Sequence, residues 1–221
     1  MTSTDFHLPR ADDQPDLLAR PGRAPRWNER LARWLLRRAG WRVTGVYPST
    51  PRVVVVVAPH TSNWDFPVGV LAGWGTGLLG DYPHGFLMKH TLDRWPFRGV
   101  MRRLGGIPVI RSRPEHAVER AVAAFEDGPR FLLALAPEGT RKPAPHWRSG
   151  FWHIARQAGA PVVPVALDYG RKEVRFGAAQ ALTGDAERDM ARLRQFYQGT
   201  RGRTDEFAAP VELRRGEGTR G

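Results

Sequence analysis

Val53-Val54-Val55-Val56-Val57-Ala58-Pro59-His60-Thr61-Ser62-Asn63-Trp64-Asp65 is the stretch from which the rest of the chain is read. An unbroken run of β-branched residues is the composition of a strand buried on both faces, because neither face has to meet water. Pro59 has no amide proton to give to a sheet ladder, so the strand ends there. His60 is thereby placed at a strand's carboxyl end. Thr61, Ser62 and Asn63 are good helix N-caps, which predicts a helix starting nearby with Asp65 in its first turn. Within one continuous helix, positions i and i+5 lie about 140° apart and do not meet, whereas a histidine on the preceding loop can fold its ring onto the carboxylate. A carboxylate that fixes an imidazole's tautomer turns it into a general base for a hydroxyl. The structural alternative for the same two residues is a capping or surface pair.

Working outward, further apolar runs recur at strand length. Residues 131–135 are followed by Ala136-Pro137-Glu138-Gly139-Thr140-Arg141, and Gly105-Gly106-Ile107-Pro108-Val109-Ile110 leads into Arg111. The predicted order is helix 27–39, strand 53–58, helix 64–79, strand 85–88, helix 95–104, strand 107–110, helix 115–126, strand 131–136, helix 149–158, strand 162–168 and a short strand near Val174. This alternation predicts an α/β fold, a mostly parallel sheet flanked by helices, with loops at the strands' carboxyl ends converging on one face. His60 and the 138–141 loop are then expected in one pocket.

Four blocks stand in order over residues 53–167: His60-x4-Asp65, Gly-x-Ile-x-x-x-Arg ending at Arg111, Pro-Glu-Gly-Thr-Arg at 137–141, and Val163-Pro164-Val165. Together they resemble the glycerophospholipid acyltransferase family, typified by 1-acylglycerol-3-phosphate acyltransferases, and most of all its short bacterial members. Ala136 stands where the family usually has phenylalanine, Pro108 where a bulky apolar residue is common, and His90 follows Lys89 where many members carry an acid.

The resemblance implies a glycerolipid acyltransferase-like fold and an O-acyltransferase. It would move a fatty acyl group from acyl-CoA or acyl-ACP, as co-substrate rather than cofactor, to a lysophospholipid hydroxyl, with 1-acylglycerol-3-phosphate the first candidate. His60 would be the base and Asp65 its orienting acid. Arg111 and Arg141 would grip the acceptor's phosphate, a task suited to the guanidinium fork. Lys89 would be a third contact. Glu138 would orient Arg141 or bind acceptor hydroxyls, Thr140 would complete the substrate-binding block, and Gly139 would offer its amide to the tetrahedral oxyanion.

The chain has 221 residues, 41% of them apolar, and no cysteine. That is enough for one core, and it excludes disulfides, thiolate metal sites and an acyl-cysteine intermediate. The seven histidines are scattered, so no metal site is expected. We expect a mobile arm at 1–25, a single domain at 26–198 and a mobile basic tail at 199–221.

A net charge of +12 is concentrated in two segments: six arginines against Glu29 in 26–42, and seven basic residues against Asp93 in 89–113. On a helical projection Arg26, Arg30, Arg33 and Arg37 form a stripe about 60° wide beside Trp27, Leu31, Trp34 and Leu35. An N-terminal amphipathic helix of this kind, at 26–42, suits an anionic membrane surface. The alternative is packing on the domain core. The longest uncharged stretch, 66–80, has 15 residues, short of the roughly 20 that spanning requires.

No apolar leader segment stands at the start, so the expected location is cytoplasmic, peripherally attached to the inner face of the cell membrane. An acyl carrier protein is a further candidate partner, drawn by the same charge. Two alternatives compete with the enzyme: a non-catalytic basic membrane-lipid-binding protein and a nucleic-acid-binding protein. The second lacks any helix-turn-helix, RNP or zinc pattern, so no nucleic acid is expected.

Overall fold

The computed structural model describes residues 16–17, 24–96, 98–109 and 114–214. In chain order the elements are α1 (Trp27–Arg38), β1 (Arg42–Gly45), β2 (Arg52–Ala58), α2 (Asp65–Gly75), α3 (Leu78–Asp81), β3 (His84–Lys89), α4 (Arg98–Arg103), β4 (Gly106–Val109), α5 (Pro114–Ala123), β5 (Phe131–Leu135), α6 (Gly150–Gln157), β6 (Val162–Asp168), β7 (Glu173–Phe176) and α7 (Ala186–Tyr197). The strands form one seven-stranded sheet in the order β1-β7-β6-β2-β5-β3-β4. Every neighbouring pair is parallel except β6 with β7. The α/β fold with a mostly parallel sheet is therefore as the sequence led us to expect.

The valine run explains the layering. Alternate side chains of β2 go to opposite faces. Val54, Val56 and Ala58 join Phe151, Trp152 and Ile154 of α6 and Met190 and Leu193 of α7. Val53 and Val55 join Leu36 of α1 and Val68 and Ala72 of α2. With β6 on one side and β5 on the other, β2 is enclosed on all four sides.

Several boundaries differ from the sequence reading, each for a local reason. The helix expected over 64–79 breaks at Gly77, whose φ of 81° is a left-handed conformation that ends one helix and lets α3 begin afresh. The helix expected over 95–104 is only Arg98–Arg103, and none of its residues is buried. Strand β1 and helix α7 were not anticipated. α7 starts on Asp185, whose carboxylate accepts from the Glu187 and Arg188 amides. At its far end the Tyr197 hydroxyl donates to Val56 O at 2.6 Å and accepts from Val165 N at 3.1 Å, bridging β2 and β6.

The 199–221 segment needs correction as a mobile tail, because its first half returns across the domain. Arg201 O accepts from the Tyr169 amide at 2.8 Å, and Glu212 O from the Trp147 amide at 2.8 Å. The Gly202 amide donates to Asp205 Oδ1 at 3.0 Å, and the Thr204 amide to Thr61 Oγ1 at 3.3 Å. Backbone bonds of this kind leave no trace in side-chain composition. Residues 215–221 lie outside the described residues. So does most of the 1–25 arm, although Leu17 is buried in the core and Asp16 pairs with Arg37 at 3.9 Å.

Candidate active site

Three adjacent parallel strands, β6, β2 and β5, deliver Tyr169, His60 and Glu138 to the same end of the sheet. The loop after β2 carries His60 back over the start of α2. Its Nδ1 lies 3.1 Å from Asp65 Oδ2, so Nδ1–H donates to the carboxylate and Nε2 is left for a substrate proton. Nε2 has no partner among the described residues. The histidine side chain is 23% exposed and the aspartate side chain 2%. The ring can thus be reached while its partner cannot.

Asp65 is held from every side. The Ser62 amide donates to Oδ2 at 2.8 Å, and the Tyr169 hydroxyl donates to Oδ1 at 2.8 Å. Tyr169 is itself fixed, its ring edge-on to Trp41 at 4.9 Å and its amide bonded to Arg201 O. Burial, then the hydrogen bond and charge of Asp65, push the Tyr169 phenol upward, so it stays a donor. Sequence reading missed this residue. The signal for it was its place: the first position after a strand, β6, that is buried along its whole length.

Glu138 sits on the other flank. Its Oε1 accepts from the His60 amide at 3.0 Å, tying the β5 loop to the β2 loop. Its Oε2 is buried and has no hydrogen-bond partner among the described residues. Burial, with the charge of Asp65 adding to it and the single amide donor opposing, pushes the Glu138 carboxyl up to about 7.

The remaining sequence candidates divide. Thr140 lies two residues beyond Glu138 and accepts the Lys142 amide at 3.2 Å. Arg141 and Lys89 are exposed, Lys89 at the carboxyl end of β3. Arg111 lies outside the described residues. Gly139 has a φ of 63°, and its amide donates to Ala136 O at 3.1 Å to close the turn. That amide is spent on the backbone, which corrects its expected part as an oxyanion donor.

Parallel strands that bring a carboxylate-held histidine to their carboxyl ends belong to an α/β fold whose loops gather at one edge of the sheet. The Acyltransferase family model matches residues 29–168. The chain belongs to this family, that of the glycerophospholipid acyltransferases, and the matched span contains the His60, Asp65 and Glu138 positions. Comparison with curated proteins and with solved structures yields no match.

Two predictions come from this geometry. Tyr169→Phe removes a charge-assisted hydrogen bond from Asp65, worth about 1.5–3 kcal/mol. With one anchor gone, the Asp65 carboxylate and the ring it holds lose their fixed orientation, so kcat for acyl transfer should fall roughly tenfold with KM little changed. A kcat equal to wild type would show the hydroxyl to be structural only. The second prediction concerns stability. A carboxyl whose folded pKa is raised favours the fold fully below its ordinary value of 4.5, and that contribution is lost as pH rises through about 7. Glu138→Gln should therefore melt progressively higher than wild type as pH goes from about 4.5 to 7. A constant difference in melting temperature over that window would refute the buried-carboxyl account.

Proposed function

We propose that this acyltransferase is an O-acyltransferase of membrane lysophospholipids, with 1-acylglycerol-3-phosphate as acceptor and an acyl thioester, on coenzyme A or on acyl carrier protein, as donor. The observation that carries the reading is the His60 ring, braced through Nδ1 on a buried carboxylate with Nε2 free. The acceptor hydroxyl gives its proton to Nε2 as its oxygen attacks the thioester carbonyl. The tetrahedral oxyanion collapses, the C–S bond breaks, and the departing thiolate takes the proton from the imidazolium. An ester and a free thiol result, and His60 is regenerated. The absence of cysteine from the chain favours this direct transfer over an acyl-cysteine route. Arg111 and Arg141 are assigned to the acceptor's phosphate, with Lys89 as a third contact.

The membrane part of the proposal rests on α1. Its buried residues are Glu29, Ala32 and Leu36, while Trp27 is 77% and Trp34 59% exposed, with Leu31 and Leu35 exposed beside them. The core therefore does not take up the Trp27–Trp34 face. A groove of about 520 Å³ lined by Arg30, Arg33, Arg37, Arg38 and Trp34 runs along the same helix, fit for anionic headgroups. Each such cation contributes on the order of 1 kcal/mol at an anionic surface, enough for reversible attachment. Trp95, at 91% exposed, and Val100 add a second apolar outcrop near α4. No helix among the described residues is long and apolar enough to cross a membrane. The reading is of a peripheral enzyme on the inner face of the cell membrane.

Purified protein given palmitoyl-CoA and a panel of lysolipids in mixed micelles should release thiol only when an acceptor is present. His60→Ala should lower that rate about 10²- to 10⁴-fold without changing the melting temperature. A variant as fast as wild type would remove His60 from the mechanism, and silence of the wild type with both donors would favour the non-catalytic lipid-binding alternative. Trp34→Ser with Leu35→Ser should abolish sedimentation with phosphatidylglycerol vesicles while the protein stays folded. Undiminished binding would place the attachment elsewhere.

A further inference from the structure

The turn at residues 201–205 stands beyond residue 168, where the match to the family model ends, yet it touches each of the elements that carry the His60–Asp65 pair and its brace. Arg201 O accepts from the amide of Tyr169, whose hydroxyl holds Asp65. The Thr204 amide donates to Oγ1 of Thr61, the residue after His60, at 3.3 Å. The Arg203 guanidinium lies 5.5 Å from the ring centre of Trp64, the residue before Asp65. The Gly202 amide donates to Asp205 Oδ1 at 3.0 Å, which fixes the turn itself.

Gly202 makes the tightest approach. A Cβ added there would lie 2.7 Å from Thr61 Oγ1, 2.9 Å from Thr61 Cγ2 and 3.3 Å from Pro59 Cγ. Its φ is not in the left-handed region, so space rather than backbone conformation is what asks for glycine. Thr61, buried at 4% exposure, cannot rotate out of the way. Its oxygen and its methyl both face Gly202, and with two heavy atoms on Cβ every staggered rotamer leaves at least one of them there. A side chain at 202 must therefore displace either the turn or the His60 loop.

His60 stands between two tethers. Its own amide is tied to Glu138 Oε1 at 3.0 Å, and its neighbour's hydroxyl to the Thr204 amide. The 3.1 Å contact of Nδ1 with Asp65 requires that ring and carboxylate both be held. The turn reaches the ring's loop through Thr61 and the carboxylate's brace through Tyr169. A misplacement of about 1 Å at a catalytic group can cost about 10²-fold in rate.

We propose that the 201–205 turn is a positioning element of the active site, with Gly202 against Thr61 as its point of contact. It meets no reacting atom and acts by keeping the His60 loop and Asp65 in register. Its effect on rate rests on the role proposed above for His60; its effect on the ring does not.

Gly202→Ala tests the contact directly. It should lower kcat for acyl transfer about tenfold or more with KM for both substrates little changed, and at alkaline pH it should move the His60 imidazole ¹⁵N signals towards a mixture of tautomers. Thr61→Val, which keeps the shape and loses the acceptor oxygen, should do both. Thr61→Ser, which keeps the oxygen, should remain several-fold faster than Thr61→Val. In the double variant Thr61→Ser should restore part of the loss in Gly202→Ala, because it removes one of the two crowded atoms. Gly128→Ala, ahead of β5 and with nothing within 4 Å of the added Cβ, should match wild type. Thermal melts accompany each variant, and Thr61→Val carries the test should Gly202→Ala fail to fold. His60 signals unchanged from wild type in both Gly202→Ala and Thr61→Val would overturn the proposal, as would wild-type kcat in both while His60→Ala is inactive. Activity that survives His60→Ala sinks the reading of His60 as base, and the imidazole signals then decide the positioning role by themselves.

Discussion

Enclosure of β2 on both faces and both edges is the constraint on which the site depends. A strand so placed can turn towards solvent only at its ends, and parallel neighbours bring their own loops to the same carboxyl edge. Val53 to Val57 thus fixes more than a core. It determines that whatever follows Ala58 meets whatever follows Leu135 and Asp168, and those are His60, Glu138 and Tyr169. Tyr197 reinforces the junction from below, its hydroxyl bonded to both β2 and β6.

Two buried carboxylates stand a few ångströms from the same histidine, and the number of their donors separates them. Asp65 and Glu138 are 3% and 2% exposed, and stripping a carboxylate of water costs several kcal/mol unless donors replace it. Asp65 has the Ser62 amide, the His60 ring and the Tyr169 hydroxyl. Among the described residues Glu138 has one amide on Oε1 and nothing on Oε2, and its carboxyl is pushed up to about 7. The better solvated group is the one positioned to steady an imidazolium, and the poorer one ties two loops together. This division of labour between like residues arises from their surroundings alone.

How much of this could be read from sequence depends on the range over which each interaction acts. His60 with Asp65 was legible because both lie within seven positions of a strand end marked by five valines and a proline. The parallel sheet was legible because apolar runs alternate with helical spacing. Tyr169 was not, since its partner Asp65 is 104 positions away: its place directly after β6 marks the sheet edge but does not name what the hydroxyl meets. α7 carried ordinary helix grammar, with Asp185 as cap, Met190, Leu193 and Tyr197 as its buried face, and Gly199 after its end. No element is assigned there from sequence, although residues 26–198 are read as one domain; only the Gly/Arg-rich stretch from 199 is read as a mobile tail. The docking of residues 201–213 is made largely through backbone groups, which every sequence has. The charge on α1 was read correctly as a stripe, but only the fold shows that Ala32 and Leu36, rather than the tryptophans, face inward.

The central claim is that Asp65 holds the His60 ring through Nδ1 so that Nε2 is the free base. ¹⁵N NMR of the imidazole nitrogens in protein labelled at histidine tests it directly, with His60 assigned by its loss in His60→Ala and spectra taken at alkaline pH. The account predicts a protonated Nδ1 and an unprotonated Nε2 for His60, with that preference lost in Asp65→Asn. A His60 ring protonated at Nε2 in the wild type, or a tautomer indifferent to Asp65, would contradict it.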